Sequence, residues 1–148
     1  MNLLDYILPF LLALGILIVV HEFGHYAVAR LCGVKVLRFS LGFGKPLLVR
    51  KAGADQTEWV LAAFPLGGYV KFLGDESEAS TPSNSALSTM SEEDRKVSFH
   101  HKGVAARSAI VAAGPIANFI LAIVIFAGLF AFLGKPSASA RVDSVQAD

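Results

Sequence analysis

The pentad HEFGH at residues 21–25 combines two imidazoles and a carboxylate at a spacing that suits hydrolysis. Residues four apart in a helix share one face, so His21 and His25 can bind the same metal ion. Zn²⁺ accepts such nitrogen ligands, and Glu22 between them can reach a water molecule beside the metal. The spacing therefore predicts a zinc site of the kind that activates water.

The composition limits which other groups could take part. The chain of 148 residues contains a single cysteine, Cys32, which excludes an internal disulfide framework and zinc sites built from several thiolates. Hydrophobic residues make up 54% of the chain and charged residues 17%, which is apolar for a soluble domain of this size. The formal net charge of +1 gives no reason to expect a nucleic-acid partner. Any metal must be held by histidine and carboxylate.

Two apolar segments must position these groups. Residues 6–20 are apolar apart from Pro9 and glycine, but a membrane span needs about 20 residues. The first helix is therefore predicted to continue through the pentad to Leu31, which places the polar groups within the bilayer, where ionisable residues mark functional sites. The second segment, residues 109–133, has Asn118 as its only strong hydrogen-bonding side chain and is predicted to span the lipid bilayer.

The distribution of basic residues predicts the orientation of the chain. Of the 13 Lys and Arg residues, all except Lys135 and Arg141 lie between the two apolar segments. The positive-inside rule then places the connecting segment in the cytoplasm and the amino terminus outside. A cleaved secretory signal over residues 1–30 is the alternative, since residues 27–29 resemble a cleavage site, but no Lys or Arg precedes the apolar run.

Period-two patterns and turn residues predict short strands between the helices. The predicted strands are residues 34–43, 47–51, 56–64 and 69–73, separated by breaks at 44–46, 52–55 and 65–68. The predicted fold is membrane α-helical with an inserted small antiparallel β-sheet, in which two transmembrane helices bracket a cytoplasmic-side β-hairpin region. Its regions are a first transmembrane helix with the zinc motif (1–33), a membrane-associated β-hairpin region (34–74), a flexible polar linker (75–103), a second transmembrane helix (104–133) and the truncated start of an extracytoplasmic region (134–148).

Four motifs follow one another along almost the whole chain. They are HEFGH at residues 21–25, FSLGFG at 39–44, PLGGYVK at 65–71 and AGPIAN at 113–118. In this order they resemble the site-2 protease family of intramembrane zinc metalloproteases, in its bacterial branch. The resemblance implies a multi-pass protein of the bacterial inner membrane that cuts the transmembrane segment of a membrane protein, typically an anti-sigma factor, after another protease has trimmed its outer part.

The resemblance also implies roles for the residues of the pentad. His21 and His25 would be zinc ligands, and Glu22 would be the general base that later protonates the leaving amine. The family's third ligand is an aspartate on a later transmembrane helix, and PDZ-like domains follow the second span. Because this sequence contains neither, the chain is expected to be an amino-terminal fragment that is inactive alone.

A strand edge near the pentad has a mechanistic use, because a helical substrate must be unwound before water can attack it. The family's β-hairpin region is implied to bind the extended substrate, here through Gly67, Gly68, Tyr69 and Val70. The alternative is a structural hairpin that binds the membrane surface through Phe39, Phe43 and Trp59.

Several other residues have structural interpretations, some beside a functional one. Asn118 is assigned equally to helix packing and to a contact with substrate or with a metal ligand. Gly114 and Pro115 are predicted to bend the second helix and to allow close helix packing. Adjacent His100 and His101 are not expected to bind one metal together, and Asp75 is predicted to begin a solvated acidic stretch.

Two other classes of function compete with proteolysis. A membrane metal-binding or metal-transport module would also place His and Glu on a spanning helix, but it requires further polar residues on the second helix, where only Asn118 is available. A structural or assembly subunit would have no need of Glu22.

Overall fold

The computed structural model describes residues 2–75 and 84–134, which form two long helices, one sheet and short helical segments. In chain order the elements are α1 (Leu4–Leu31), β1 (Val36–Ala52), β2 (Thr57–Phe72), α2 (Asn84–Thr89), α3 (Glu92–Val97), a 3₁₀ turn (Phe99–His101) and α4 (Val104–Leu133). The predicted combination of two long apolar helices and a small antiparallel sheet is confirmed.

Helix α1 continues without interruption through the pentad, as the sequence predicts. Pro9 lies in its second turn, so it removes only the hydrogen bond to the Asp5 carbonyl. The helix ends after Leu31, where Gly33 adopts a φ of 67° and donates its N–H to the carbonyl oxygen of Arg30. At about 1.5 Å per residue, α1 is roughly 42 Å long, which exceeds the thickness of a bilayer's hydrocarbon core.

Helix α4 has 30 residues, includes Pro115 in its interior, and ends where Gly134 adopts a φ of 73°. Both α1 and α4 are long and apolar enough to cross a membrane, by length and composition. Their insertion into a bilayer stays a prediction.

The two long helices pack against each other through small residues. A Cβ atom on Gly24 of α1 would lie 2.8 Å from the Cβ atom of Ala117 on α4. Ala113, one turn earlier on α4, is buried in this contact. Because the backbones approach closely here, one face of α4 lies directly against the part of α1 that contains the pentad.

Strands β1 and β2 pair in one antiparallel sheet, and each is longer than predicted. The predicted breaks at residues 44–46 and 65–68 lie inside the strands, so the prediction of four separate strands is wrong. The chain bends at these points without leaving the sheet, and Gly42 and Gly44 adopt φ values of 91° and 83° that permit the bend. As a result, residues 38–41 have partners on both sides, at residues 68–71 and 58–61.

The inner half of the sheet, defined as residues 36–41 and 68–72, supplies much of the protein's core. The ring of Phe39 lies 5.9 Å from that of Tyr26 on α1 and 4.8 Å from that of Trp59, measured between centroids. This cluster attaches the sheet to α1. The alternative role of Phe39 as a membrane anchor is wrong, because its side chain is already buried in protein.

The outer half of the sheet, defined as residues 43–49 and 61–66, exposes large apolar side chains. Leu47, Leu48, Phe64 and Leu66 are each more than 60% exposed, at 66%, 65%, 64% and 69%. Phe43 belongs to the same surface. The outer half therefore extends away from the helices that cover the inner half.

The segment between the sheet and α4 differs from the predicted flexible linker, because its described part contains α2, α3 and the 3₁₀ turn. Helix α3 is capped at its start, where Ser91 Oγ accepts a hydrogen bond from the Asp94 N–H at 3.1 Å. The carbonyl oxygen of Val97 accepts a hydrogen bond from the Lys35 N–H at 2.8 Å, which connects the segment to the start of β1.

Asp75 is buried, which corrects the prediction of a solvated acidic side chain at this position. Its Oδ2 accepts a hydrogen bond from the Phe72 N–H at 2.8 Å, and its Oδ1 lies 2.7 Å from His100 Nε2. Asp75 therefore joins the end of β2 to the 3₁₀ turn. Its polar neighbours in the sequence indicate an exposed position, but one of its two partners, His100, lies 25 residues further along the chain.

Candidate active site

Helix α1 places the imidazoles of His21 and His25 on one face, one turn apart. Their ring centroids are 4.9 Å apart, and the ring planes are nearly perpendicular, at 80°. This arrangement follows from the i, i+4 spacing of the pentad. The two rings face α4 and not the exposed side of α1.

Gly114 of α4 lies where the two imidazoles converge. A Cβ atom on Gly114 would lie 2.8 Å from His21 Nε2 and closer still to His25 Nε2. Any side chain at this position would collide with both rings, so glycine allows the backbone of α4 to approach the two Nε2 atoms closely. Two imidazole nitrogens that converge in this way are donors that fit Zn²⁺.

The main chain of α4 orients His25. The carbonyl oxygen of Ile110 lies 2.7 Å from His25 Nδ1, and a carbonyl oxygen can only accept a hydrogen bond. His25 Nδ1 must therefore carry the hydrogen, and its Nε2 keeps the lone pair that a metal ion requires. The ring is thus held in the tautomer that suits a metal ligand.

Asn118 of α4 contacts the other imidazole. Its Nδ2 lies 3.3 Å from His21 Nδ1. The structure therefore places Asn118 beside a candidate metal ligand, one turn beyond Gly114 on the same face of α4. Of the roles that the sequence left open, this position agrees with a contact to a metal ligand.

Glu22 is buried between α1 and the inner half of the sheet. A Cβ atom on Gly68 would lie 2.7 Å from Glu22 Cγ and 2.8 Å from the carbonyl oxygen of Ser40. Glycine at position 68 thus allows the strand backbone to approach the carboxylate. A peptide lying along residues 68–72 would be close to Glu22.

The other residues predicted to bind substrate lie along the same strand in different environments. Gly67 faces the ring of Phe43, with no room for a side chain. Tyr69 stacks on Phe43, with centroids 6.2 Å apart. The side chain of Val70 is buried in the core, so Val70 can offer a peptide only its main chain.

One ion pair joins the two strands of the sheet, and a second attaches the sheet to α1. Arg38 donates hydrogen bonds from Nε and Nη2 to Glu58 Oε2, at 3.0 Å and 2.7 Å, and Nη1 lies 3.4 Å from the Tyr69 hydroxyl. The hydrogen bonds from Arg38 hold the pKa of Glu58 below its ordinary value of 4.5. Arg30 at the end of α1 pairs with Asp55 in the turn between β1 and β2, which adds a second attachment of the sheet to that helix.

The described residues offer two of the three protein ligands that a catalytic zinc site needs. Within residues 2–75 and 84–134, no group of three or more His, Cys, Asp or Glu side chains is arranged to hold a metal. The imidazole pair alone fits the nitrogen donors that Zn²⁺ prefers.

Sequence reasoning missed two contributions to the site, both from α4. The sequence assigns Gly114 only to bending and close packing of the second helix, and it assigns no role to Ile110. The Gly-Pro pair within an apolar helix is the sequence feature that could have indicated a role for Gly114 in the site. No signal existed for Ile110, because its contribution is a main-chain oxygen.

Comparison with known proteins agrees with this site. A sequence model of peptidase family M50 matches residues 9–147. Protease RseP of Yersinia pestis is 51% identical over 137 residues, which are 93% of this chain and 28% of that protein. Metalloprotease MmpA of Caulobacter vibrioides is 44% identical over 145 residues, 93% of this chain and 36% of that protein. An Agrobacterium fabrum protein named as a zinc metalloprotease is 51% identical over 141 residues, 95% of this chain and 37% of that protein.

The HExxH pentad on a long apolar helix, with a second helix packed on its imidazoles, agrees with the zinc metalloprotease names of these relatives. The chain belongs to peptidase family M50, the site-2 protease family, and the resemblance inferred from its motifs is confirmed. It spans less than two fifths of the length of these three relatives.

Proposed function

We propose that this chain is the amino-terminal part of an intramembrane zinc metalloprotease, which hydrolyses a peptide bond within the transmembrane segment of a membrane protein. The observation that carries the proposal is the convergence of His21 and His25 Nε2 over Gly114, with Glu22 beside them. Membership of family M50 and the zinc metalloprotease names of relatives support the same chemistry. A substrate resembling an anti-sigma factor and a location in the bacterial inner membrane are part of the proposal.

The polar residues of the pentad have two roles in this reaction. His21 and His25 would hold Zn²⁺, which when bound would activate water for attack and polarise the scissile carbonyl group. Glu22 accepts a proton from the attacking water and then donates it to the leaving amine. Its burial between α1 and Gly68 keeps it close to where a substrate strand would lie.

The third metal ligand is proposed to come from a part of the enzyme that this chain does not contain. The relatives are much longer than this chain, which supports further helices in the whole enzyme. An aspartate on a later transmembrane helix would complete the site, and PDZ-like domains would control access to it. We expect the 148-residue chain alone not to cleave any substrate.

The substrate is proposed to bind as an extended strand along Gly67, Gly68, Tyr69 and Val70. Main-chain hydrogen bonds to this strand would replace those that the substrate loses when its helix unwinds. The close approach of Gly68 to Glu22 supports this, because a peptide paired there would present its main chain to the carboxylate.

The outer half of the sheet is proposed to contact lipid. Its exposed Leu47, Leu48 and Phe64 form an apolar surface that water would solvate poorly. With the two apolar helices, this supports a multi-pass membrane protein. The basic residues between the helices support a connecting segment that faces the cytoplasm.

The proposal is tested in the full-length enzyme with a substrate that contains a single transmembrane helix. Glu22→Gln should lower the cleavage rate by about 10²–10⁴-fold while zinc content is unchanged, because only the general base is removed. His21→Ala should lose both zinc and cleavage. Unaltered cleavage by Glu22→Gln would overturn the proposal, and transmembrane metal flux without cleavage would favour a transport module.

A further inference from the structure

The two candidate metal ligands differ in what decides their tautomer. His25 is held by the Ile110 carbonyl, which can only accept a hydrogen bond. His21 is held by the side-chain amide of Asn118, which can either donate or accept. The amide orientation of Asn118 therefore decides whether His21 can bind a metal.

In the structure the amide nitrogen of Asn118 faces His21. Nδ2 lies 3.3 Å from His21 Nδ1 and would donate to it. His21 Nδ1 would then hold no hydrogen, so Nε2 would hold it and would have no lone pair for a metal. In the same orientation Asn118 Oδ1 is buried and has no hydrogen-bond partner among the residues that the structure describes.

A half-turn of the amide changes the tautomer that Asn118 favours at His21. It exchanges a nitrogen and an oxygen of nearly equal size, so the packing of α4 is preserved. Oδ1 then accepts a hydrogen bond from His21 Nδ1–H, and His21 Nε2 gains the lone pair. The buried oxygen gains its partner in the same movement, and Nδ2 moves to the position that Oδ1 leaves.

We propose that Asn118 is a positioning residue, which accepts a hydrogen bond from His21 Nδ1–H through Oδ1 and so holds His21 Nε2 ready for zinc. This inference rests on the proposed zinc site at His21 and His25. Asn118 acts through His21, which is the contact with a metal ligand that the sequence left open, beside a contact with substrate and helix packing. Helix α4 then orients both imidazoles, one by a main-chain oxygen and the other by a side-chain oxygen.

The test measures zinc affinity of the full-length enzyme in detergent micelles, by competition with a chelator and independently of cleavage. Asn118→Ala should weaken zinc binding by about 10–100-fold, the usual cost of losing such a partner. Asn118→Asp should restore most of the loss, because a carboxyl group keeps an acceptor oxygen and lacks the amide donor. Ile116→Ala, two residues earlier on the same helix and half exposed, is the matched control and should bind zinc as the unmodified enzyme does.

Nitrogen NMR of the unmodified enzyme with ¹⁵N-labelled histidine provides a measurement that does not depend on the folding of any Asn118 variant. The signals of His21, assigned by their loss in His21→Gln, should show a protonated Nδ1. A protonated Nε2, or unchanged zinc affinity in folded Asn118→Ala, would overturn the role of Asn118. If His21→Ala itself leaves zinc affinity unchanged, the proposed zinc site fails, and the two failures are thereby distinguished.

Discussion

The two halves of the sheet contain similar types of residue but differ in whether those residues are buried or exposed. Both contain aromatic and aliphatic residues near glycines, yet Phe39 of the inner half is 3% exposed and Phe64 of the outer half is 64% exposed. The inner half is covered because α1 crosses it, with Tyr26 packed on Phe39. The outer half lies beyond the reach of that helix.

Because only one half is covered by α1, the two halves of the same pair of strands can serve different purposes. The covered half holds Gly68 against Glu22 and so sets the distance between the strand and the carboxylate. The uncovered half leaves apolar side chains available for contact with lipid or substrate. A single sheet can thus combine a rigid attachment to the site with an apolar surface, because only one end is packed against α1.

Removing one phenylalanine from each half is the strongest test of the comparison. Phe39→Ala should lower the free energy of unfolding by about 3–5 kcal/mol, since it leaves a cavity in the core. Phe64→Ala, its control, should change it by no more than about 0.5 kcal/mol, because the side chain is exposed. Chemical denaturation of the full-length protein in micelles measures both, and equal effects would contradict the assigned burial.

A second test concerns the crowded position on α4. Gly114→Ala places a methyl group where the two Nε2 atoms converge, and we expect zinc affinity to fall by about 100-fold, at the upper end of what altered metal surroundings cost. Gly128→Ala on the same helix meets no atom within 4 Å and is the matched control. Equal zinc affinity of the two variants would show that the metal does not lie over Gly114.

Separating the strand from the carboxylate should have a smaller effect. Gly68→Ala brings a Cβ atom to 2.7 Å from Glu22 Cγ and 2.8 Å from the carbonyl oxygen of Ser40, so the strand or the Glu22 side chain must shift. We expect the cleavage rate to fall by about tenfold, because a small misplacement at a reacting group is costly, while zinc affinity is retained. Gly103→Ala, which meets no atom within 4 Å, should cleave at the normal rate. A loss of zinc in Gly68→Ala would place the strand at the metal instead.

The smallest effect is expected from the ion pair between Arg38 and Glu58. Because the pKa of Glu58 is lowered in the folded protein, its stabilising contribution is present above the ordinary value of 4.5 and is lost as the pH falls through the lowered value. For a partly exposed pair we expect about 0.2–1 kcal/mol. The free energy of unfolding, measured between pH 7 and pH 3, should lose this part of its pH dependence in the Glu58→Gln variant. An unaltered pH profile would mean that the pair contributes nothing.

Much of the architecture could be predicted because it depends on local patterns. The i, i+4 spacing of His21 and His25 places them on one face wherever that helix packs, and the long apolar segments indicate helices without reference to their neighbours. The strand predictions were less accurate at residues 44–46 and 65–68. Gly and Pro usually end strands, but here the sheet continues through the bend because the residues that flank it stay paired, Phe43 with Phe64 and Pro46 with Ala62.

The sequence by itself determined which groups could bind zinc and which helix holds them, because both follow from residue type and short-range spacing. Only the tertiary structure decided that Gly114, Ile110 and Asn118 of α4 meet the two imidazoles, and that Gly68 meets Glu22. These contacts join residues that are far apart along the chain. Their geometry depends on how closely two backbones pack, which no periodicity within either segment encodes.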